Sequence, residues 1–162
     1  MIIRKAKLKD VPIIVDLWKE FMKYHDEILI KKNKQIKPHL IKKKNAPRIF
    51  RKFVRKNILS KNSIVFIVEV GGKPVGYSLN YIKNNIPIFN VGKIGYICDL
   101  FVKKEFRGQR MSTKLKNEAI NWFKKKSIKY VSITVHNYNE HAHSIYKKWG
   151  FFDFHVEMRK KI

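Results

Sequence analysis

The sequence predicts a mixed α/β (α+β) domain built on a single central, mostly antiparallel sheet flanked by helices. Runs that alternate apolar and polar residues are interleaved with runs of helical period, which places strands and helices in one layered unit. A Gly71-Gly72 pair sits between two strand-like runs, Ile64 to Val70 and Pro74 to Ile82, and supplies the positive φ that a tight hairpin needs. The length, 162 residues with 44% hydrophobic side chains, fits one domain with its own core, so 1–162 is read as a single unit.

Taken in order, Ile2 and Ile3 open a short first strand, and Asp10 is placed to cap a helix that has Pro12 in its first turn. Val11, Ile14, Trp18 and Phe21 recur at helical spacing, and this helix is expected to end near Asp26. Lys31 to Lys44, with Pro38, reads as a loop or short broken helix. Ala46 to Leu59 is amphipathic, with Ile49, Phe50, Phe53 and Val54 on one side and Arg48, Arg51, Lys52, Arg55 and Lys56 on the other. The hairpin and Ile94 to Val102 give three antiparallel strands. A helix to about Lys126 follows, then a strand from Tyr130 to Val135, a helix from Glu140 to Lys148 closed by Gly150, and a final strand in which Phe154, Val156 and Met158 alternate with polar residues.

Composition removes several classes. The net charge is +25, yet 13% aromatic residues are too many for a disordered polycation. No apolar run approaches the roughly 20 residues of a membrane span, and the first residues lack a signal-peptide core, so no membrane partner is expected. Cys98 is the single cysteine, which rules out an intrachain disulfide and points to the cytoplasm. The seven glycines form neither GxGxxG nor GxxxxGK[ST], so dinucleotide and P-loop chemistry lose their main support. His136, His141 and His143 lack the HExxH spacing, and no metal site is expected.

The informative stretch is the strand Cys98-Asp99-Leu100-Phe101-Val102 leading into Arg107-Gly108-Gln109-Arg110-Met111-Ser112-Thr113 at a helix start. Such a loop aims unpaired backbone N–H groups at one point, where the helix dipole adds positive charge, and suits a phosphate; Lys103, Lys104, Arg107, Arg110 and Lys114 add charge around it. Downstream comes Asn139-Glu-His-Ala142-His-Ser-Ile145-Tyr146-Lys-Lys148-Trp-Gly150-Phe151. R-G-x-x-x-S followed by N-x-x-A-x-x-[IL]-Y-x-K-x-G-F resembles the GNAT superfamily of acetyl-CoA-dependent N-acetyltransferases, and the order of elements resembles that acyl-CoA N-acyltransferase fold over nearly the whole chain.

The resemblance implies that the Leu100, Phe101 and Val102 strand end pairs with the pantetheine arm of acetyl-CoA and that the amides of Arg107, Gly108, Gln109, Arg110, Met111, Ser112 and Thr113 cradle its pyrophosphate. It likewise implies that Asn139 hydrogen-bonds the pantetheine and that Tyr146 protonates the departing thiolate. The usual loop reads R-G-x-G-x-[GA]; here Arg110 stands at the second glycine, tolerable at negative φ, and Ser112 at the last small residue, where it could cap the helix.

An alkyl ammonium must lose a proton before it attacks, to a carboxylate or a water chain. Similar diamine acetyltransferases carry Glu-Asp where this chain has Cys98-Asp99. Asp99 is the nearest carboxylate, strand alternation puts Cys98 and Asp99 on opposite faces, and water relayed through Tyr96 or Tyr77 is the competing route. Cys98 as a covalent carrier has no sequence feature that demands it.

Tyr24, Asp26 and Glu27, at the expected end of the first helix, are the candidate acceptor-binding residues, because in resembling enzymes this region lines the acceptor site. The basic field disfavours a polycationic acceptor and favours a small amine, one lysine or a protein N-terminus. Thirteen Lys or Arg and no acidic residue lie between positions 28 and 68. Residues 31–56 are therefore a candidate polyanion contact, in competition with plain lysine-rich composition. The expected activity is acetyl transfer from acetyl-CoA to an amine by direct attack; the alternative is a nucleic-acid- or ribosome-binding module on a catalytically degenerate scaffold. Self-association as a homodimer stays open.

Overall fold

The computed structural model describes residues 1–162. Its elements are β1 (Ile2–Lys5), α1 (Val11–Lys32), the single turn α2 (Lys37–Leu40), α3 (Ala46–Leu59), β2 (Ser63–Val70), β3 (Lys73–Asn84), β4 (Lys93–Val102), α4 (Met111–Lys125), β5 (Val131–Ile133) and α5 (Glu140–Lys148). The five strands form one sheet in sequence order, antiparallel throughout except for the parallel β4–β5 pair. Gly71 and Gly72 take φ of +55° and +74°, as the two-residue hairpin turn requires.

Period-2 alternation along β2 and β3 splits the core between the two faces of the sheet. Val65, Ile67, Tyr77, Leu79 and Phe101 meet α1 and α3 on one face, where Trp18 stacks on Phe50 with ring centroids 4.5 Å apart. Ile64, Phe66, Val68 and Val102 meet Met111 and Leu115 of α4 on the other, and Ile97 packs there on Ala119 and Phe123. Gly95 lets α4 come close, since a Cβ there would stand 2.7 Å from the Phe123 ring. No helix is long and apolar enough to cross a membrane.

Four local expectations change. Helix α1 continues past Asp26 to Lys32, because no breaker precedes Asn33, whose side chain accepts the Gln35 N–H and turns the chain. Asp10 makes no side-chain cap bond to α1; its carboxylate accepts the Lys7 N–H at 2.7 Å and both terminal nitrogens of Arg4. Strand β5 is three residues long rather than the six of Tyr130 to Val135. The final segment is not a strand: it pairs with no other strand, and Phe154, Val156 and Met158 are 83 to 90% exposed. Alternation makes a strand only where a partner edge is presented, and the chain beyond Phe151 runs free of the sheet.

Candidate active site

Strands β4 and β5 pair only at Gly95–Val131, Tyr96–Ser132 and Ile97–Ile133. Beyond Ile97 they separate, and the edge of β4 from Cys98 to Val102 has no strand partner on that side. At the fork the Tyr96 hydroxyl donates to Thr134 Oγ1 at 3.0 Å. An open strand edge inside a fold is a ready acceptor for an extended amide-bearing chain.

A β-bulge sits at the same point. Leu79 faces Asp99 and Asn80 faces Ile97, which leaves Cys98 as the extra residue of β4. Ile97 points to the α4 side, while Cys98 packs with Tyr77, Leu79 and Phe101 on the α1/α3 side. Asp99 lies on that side too: the buried Tyr77 hydroxyl donates to its Oδ2 at 2.9 Å and the Cys98 thiol to its Oδ1 at 3.7 Å. The expectation that Cys98 and Asp99 occupy opposite faces is therefore overturned, because the bulge cancels one step of alternation.

These surroundings tune the groups. Burial pushes the Asp99 carboxyl up to about 6, only partly opposed by donation from Tyr77 and then Cys98. Burial, reinforced by the Asp99 charge, pushes the Cys98 thiol up to about 12, which leaves almost no thiolate at neutral pH and speaks against a covalent carrier. Tyr146, half-buried on α5 beside Trp149 and Phe151, is pushed up to about 12 by burial and then by the neighbouring Tyr96. It is a neutral phenol able to donate.

The loop after β4 presents a run of free backbone donors, an arrangement that suits an anion. Six consecutive amides, Gly108 to Thr113, donate to no acceptor within the chain, and the three that open α4 add the dipole of its first turn. Gly108 has φ +80° and Arg110 φ +58°, which corrects the expectation of negative φ at Arg110: an arginine holds a left-handed position that glycine occupies at lower cost. Ser112 makes no cap bond, since the N-cap position falls on Arg110. Arg107 is already engaged. Its Nε donates to the Val102 carbonyl at 3.0 Å and its guanidinium lies 4.0 Å from the Tyr24 ring centroid, so it fastens the loop to β4 and α1.

The proposed acceptor residues divide. Tyr24 is the platform under Arg107; Asp26 is ion-paired with Lys42; Glu27 is exposed and unpaired. His25, next to them, faces His136 across the fork with ring centroids 5.1 Å apart. Burial and then His136 hold His25 below its ordinary value, and burial followed by Arg159 does the same for His136. His136 is thus separated from His143, which bonds Asp153 at 2.6 Å. Asn139 caps α5 by accepting the Ala142 N–H at 3.3 Å, leaving its amide NH2 free. Sequence reasoning missed the His25–His136 pairing and the part played by Tyr81, pushed up to about 12 by burial and then by Cys98. Period-2 spacing from Tyr77 and Leu79 could have placed Tyr81 beside Cys98; no sequence signal pairs His25 with His136.

Known proteins of the same kind bear out the fold. A sequence model of the Acetyltransferase (GNAT) family matches residues 18–151. The chain is 31% identical over 128 residues to the uncharacterized N-acetyltransferase MJ1207 of Methanocaldococcus jannaschii, covering 77% of this chain and 54% of that protein. It therefore spans about half the length of this relative. Among solved structures, a mutant of the BH1408 protein from Bacillus halodurans superposes with a TM-score of 0.81 at 22% identity over 100% of both chains. A predicted acetyltransferase from Clostridium acetobutylicum, solved with acetyl-CoA, gives 0.75 at 17% identity over 99% of this chain and 95% of that one. The aminoglycoside N-acetyltransferase AAC(6')-Iy in complex with CoA gives 0.75 at 14% identity over 99% and 93%. With the forked strands, the bulge and the amide-lined loop in place, the chain belongs to the GNAT family of acetyltransferases.

Proposed function

We propose that this protein transfers the acetyl group of acetyl-CoA to an amine by direct attack on the thioester. The observation that carries the reading is the run of six unengaged amides from Gly108 to Thr113 continuing an unpaired β4 edge, Cys98 to Val102. That juxtaposition fits a ligand with an amide-bearing arm and a diphosphate, which is the shape of coenzyme A. Leu100, Phe101 and Val102 would align the arm, the 107–113 loop would hold the diphosphate, and the free amide of Asn139 would reach the arm from α5.

Asp99 takes the role of base. Its pKa near 6 leaves it ionised at neutral pH yet close enough to accept a proton efficiently, and the bulge turns it toward α1. The ammonium gives its proton to Asp99, directly or through one water. The amine nitrogen then bonds to the acetyl carbon, the C–S bond breaks and Tyr146 donates its proton to the sulfur; the surplus proton on the new amide nitrogen passes through water to the Tyr146 phenolate, and Asp99 releases its own to solvent. Cys98, Tyr81 and Tyr96 surround Asp99 without a cation to rival it.

The acceptor we favour is a single amine, whether a small molecule, a lysine or a protein N-terminus. On α1 Asp26 is neutralised by Lys42 and Glu20 by Lys103, which leaves Glu27 as the unpaired carboxylate there, enough for one cation rather than a polycation. Thiol release from acetyl-CoA in a panel of amines, amino acids and N-terminal peptides tests the reading. Turnover with mono-amines above that with polyamines supports it, and no thiol release with any acceptor contradicts it.

A further inference from the structure

Helix α3 carries Arg48, Arg51, Lys52, Arg55 and Lys56 on its outer face, all exposed. None of the five is in an ion pair, and of the thirteen Lys and Arg between positions 28 and 68 only Lys32 and Lys42 are, with Glu140 and Asp26. Spacings of three and four place them along one stripe about 12 Å long, at 1.5 Å per residue. Like charges at that spacing repel, each pair costing a few tenths of a kcal/mol, and no acidic residue from 28 to 68 offsets them. The fold does not need the stripe, since α3 is held by its other side, Phe50 and Val54 in the core.

Cofactor binding does not account for it either. Helix α3 covers the same sheet face as α1, whereas the 108–113 amides head α4 on the opposite face. We propose that α3 is a nucleic-acid contact in which these five side chains hold the phosphate backbone without reading bases. A helix that binds a lipid surface buries its apolar side in the membrane interface. Here that side is spent on the core, and only Ile49 and Leu59 remain as large exposed apolar side chains of α3. A protein partner calls for aromatic anchors, of which the stripe has none. Regular unpaired charge matches a regular polyanion.

The test is fluorescence anisotropy with a labelled 20-base-pair duplex, as DNA and as RNA, between 50 and 250 mM KCl. Five phosphate contacts predict that log K falls with log[salt] with a slope of roughly −4 to −5 on DNA. The R48Q/R51Q/R55Q variant should bind at least about tenfold more weakly at 100 mM and lose between about 2 and 3 of that slope. The control K124Q/K125Q/K126Q removes the same charge from exposed positions at the end of α4 and around it, and should change affinity less than about threefold. Equal losses in the two variants would show diffuse charge rather than a site and overturn the proposal. So would a wild type that binds phosphatidylserine vesicles but neither duplex, or nothing. Circular dichroism melts confirm that both variants fold. Both should keep wild-type thiol release, so a failed acetyltransferase reading and a failed nucleic-acid contact register in separate assays.

Discussion

The Tyr77 hydroxyl, sealed in the core, donates to Asp99 Oδ2 at 2.9 Å across the β3–β4 pair. Donation favours the ionised carboxylate, while burial opposes it more strongly and leaves the group near 6. Replacing Tyr77 by Phe removes the donor, so the Asp99 pKa should rise further. The acid limb of kcat/KM, with a wild-type midpoint near 6, should then move to higher pH while turnover at high pH is largely retained. An unmoved limb would detach Asp99 from the base role.

The same group has a stability signature. Its folded pKa lies above the ordinary 3.8, so the native state holds this proton more tightly than the unfolded chain, and ionising Asp99 destabilises the fold as pH rises from about 4 through 6. Asp99→Asn should therefore melt higher than wild type at pH 8, by up to roughly 2–3 kcal/mol, and lose that advantage near pH 4. Scanning calorimetry at the two pH values checks it, and the variant should be nearly inactive.

Tyr146→Phe keeps the ring against Trp149 and Phe151 and removes one proton donor. Turnover should fall about 10²-fold or more, in the range for general acid catalysis, with acetyl-CoA affinity within about twofold of wild type. Stopped-flow thiol release and calorimetric titration separate the two quantities.

Arg110 sits at φ +58°, where a side chain costs about 1 kcal/mol. Arg110→Gly should raise stability by up to about 1 kcal/mol, less the added freedom of the unfolded chain, and weaken acetyl-CoA binding through loss of a cation. Opposite signs in denaturant melts and titration are the expected result.

Arg4 donates to Asp10 at 2.7 and 2.9 Å and to Glu69 at 2.7 Å, joining β1, β2 and the approach to α1. Donation by Arg4 outweighs burial and holds the Asp10 pKa below its ordinary value, so this stability is present above the unfolded pKa and lost as pH falls through the folded one. Arg4→Met strands a buried carboxylate and should cost about 3 kcal/mol at pH 7, with the deficit shrinking toward pH 3.

The parts of this site that could be read from sequence are those set by local chemistry. Arg107 to Thr113 and Asn139 to Phe151 declare a loop feeding a helix and a capped helix ending at Gly150, because spacing and residue type fix both without reference to distant strands. Helix α3 was legible over its full length for the same reason. The bulge at Cys98 was not. An extra residue is defined only against the facing strand, and nothing in Ile97-Cys98-Asp99 marks which of them β3 leaves unopposed. The final segment failed the other way. Phe154, Val156 and Met158 carry a strand pattern, but a pattern needs an edge to pair with, and that is a property of the assembled sheet. Arg110 shows the limit of residue preference, since the loop imposes a conformation its side chain disfavours.

In the proposed binding mode acetyl-CoA lies along the open edge of β4 with its diphosphate on the amides of 108–113. The most direct measurement is the melting temperature of the wild-type protein with and without acetyl-CoA. At about 100 times its Kd the ligand should add about 2.7 kcal/mol, a rise of roughly 5–10 °C for a chain of this size, and the rise should shrink in Arg110→Gly. An unchanged melting temperature at millimolar acetyl-CoA and at millimolar CoA would contradict it.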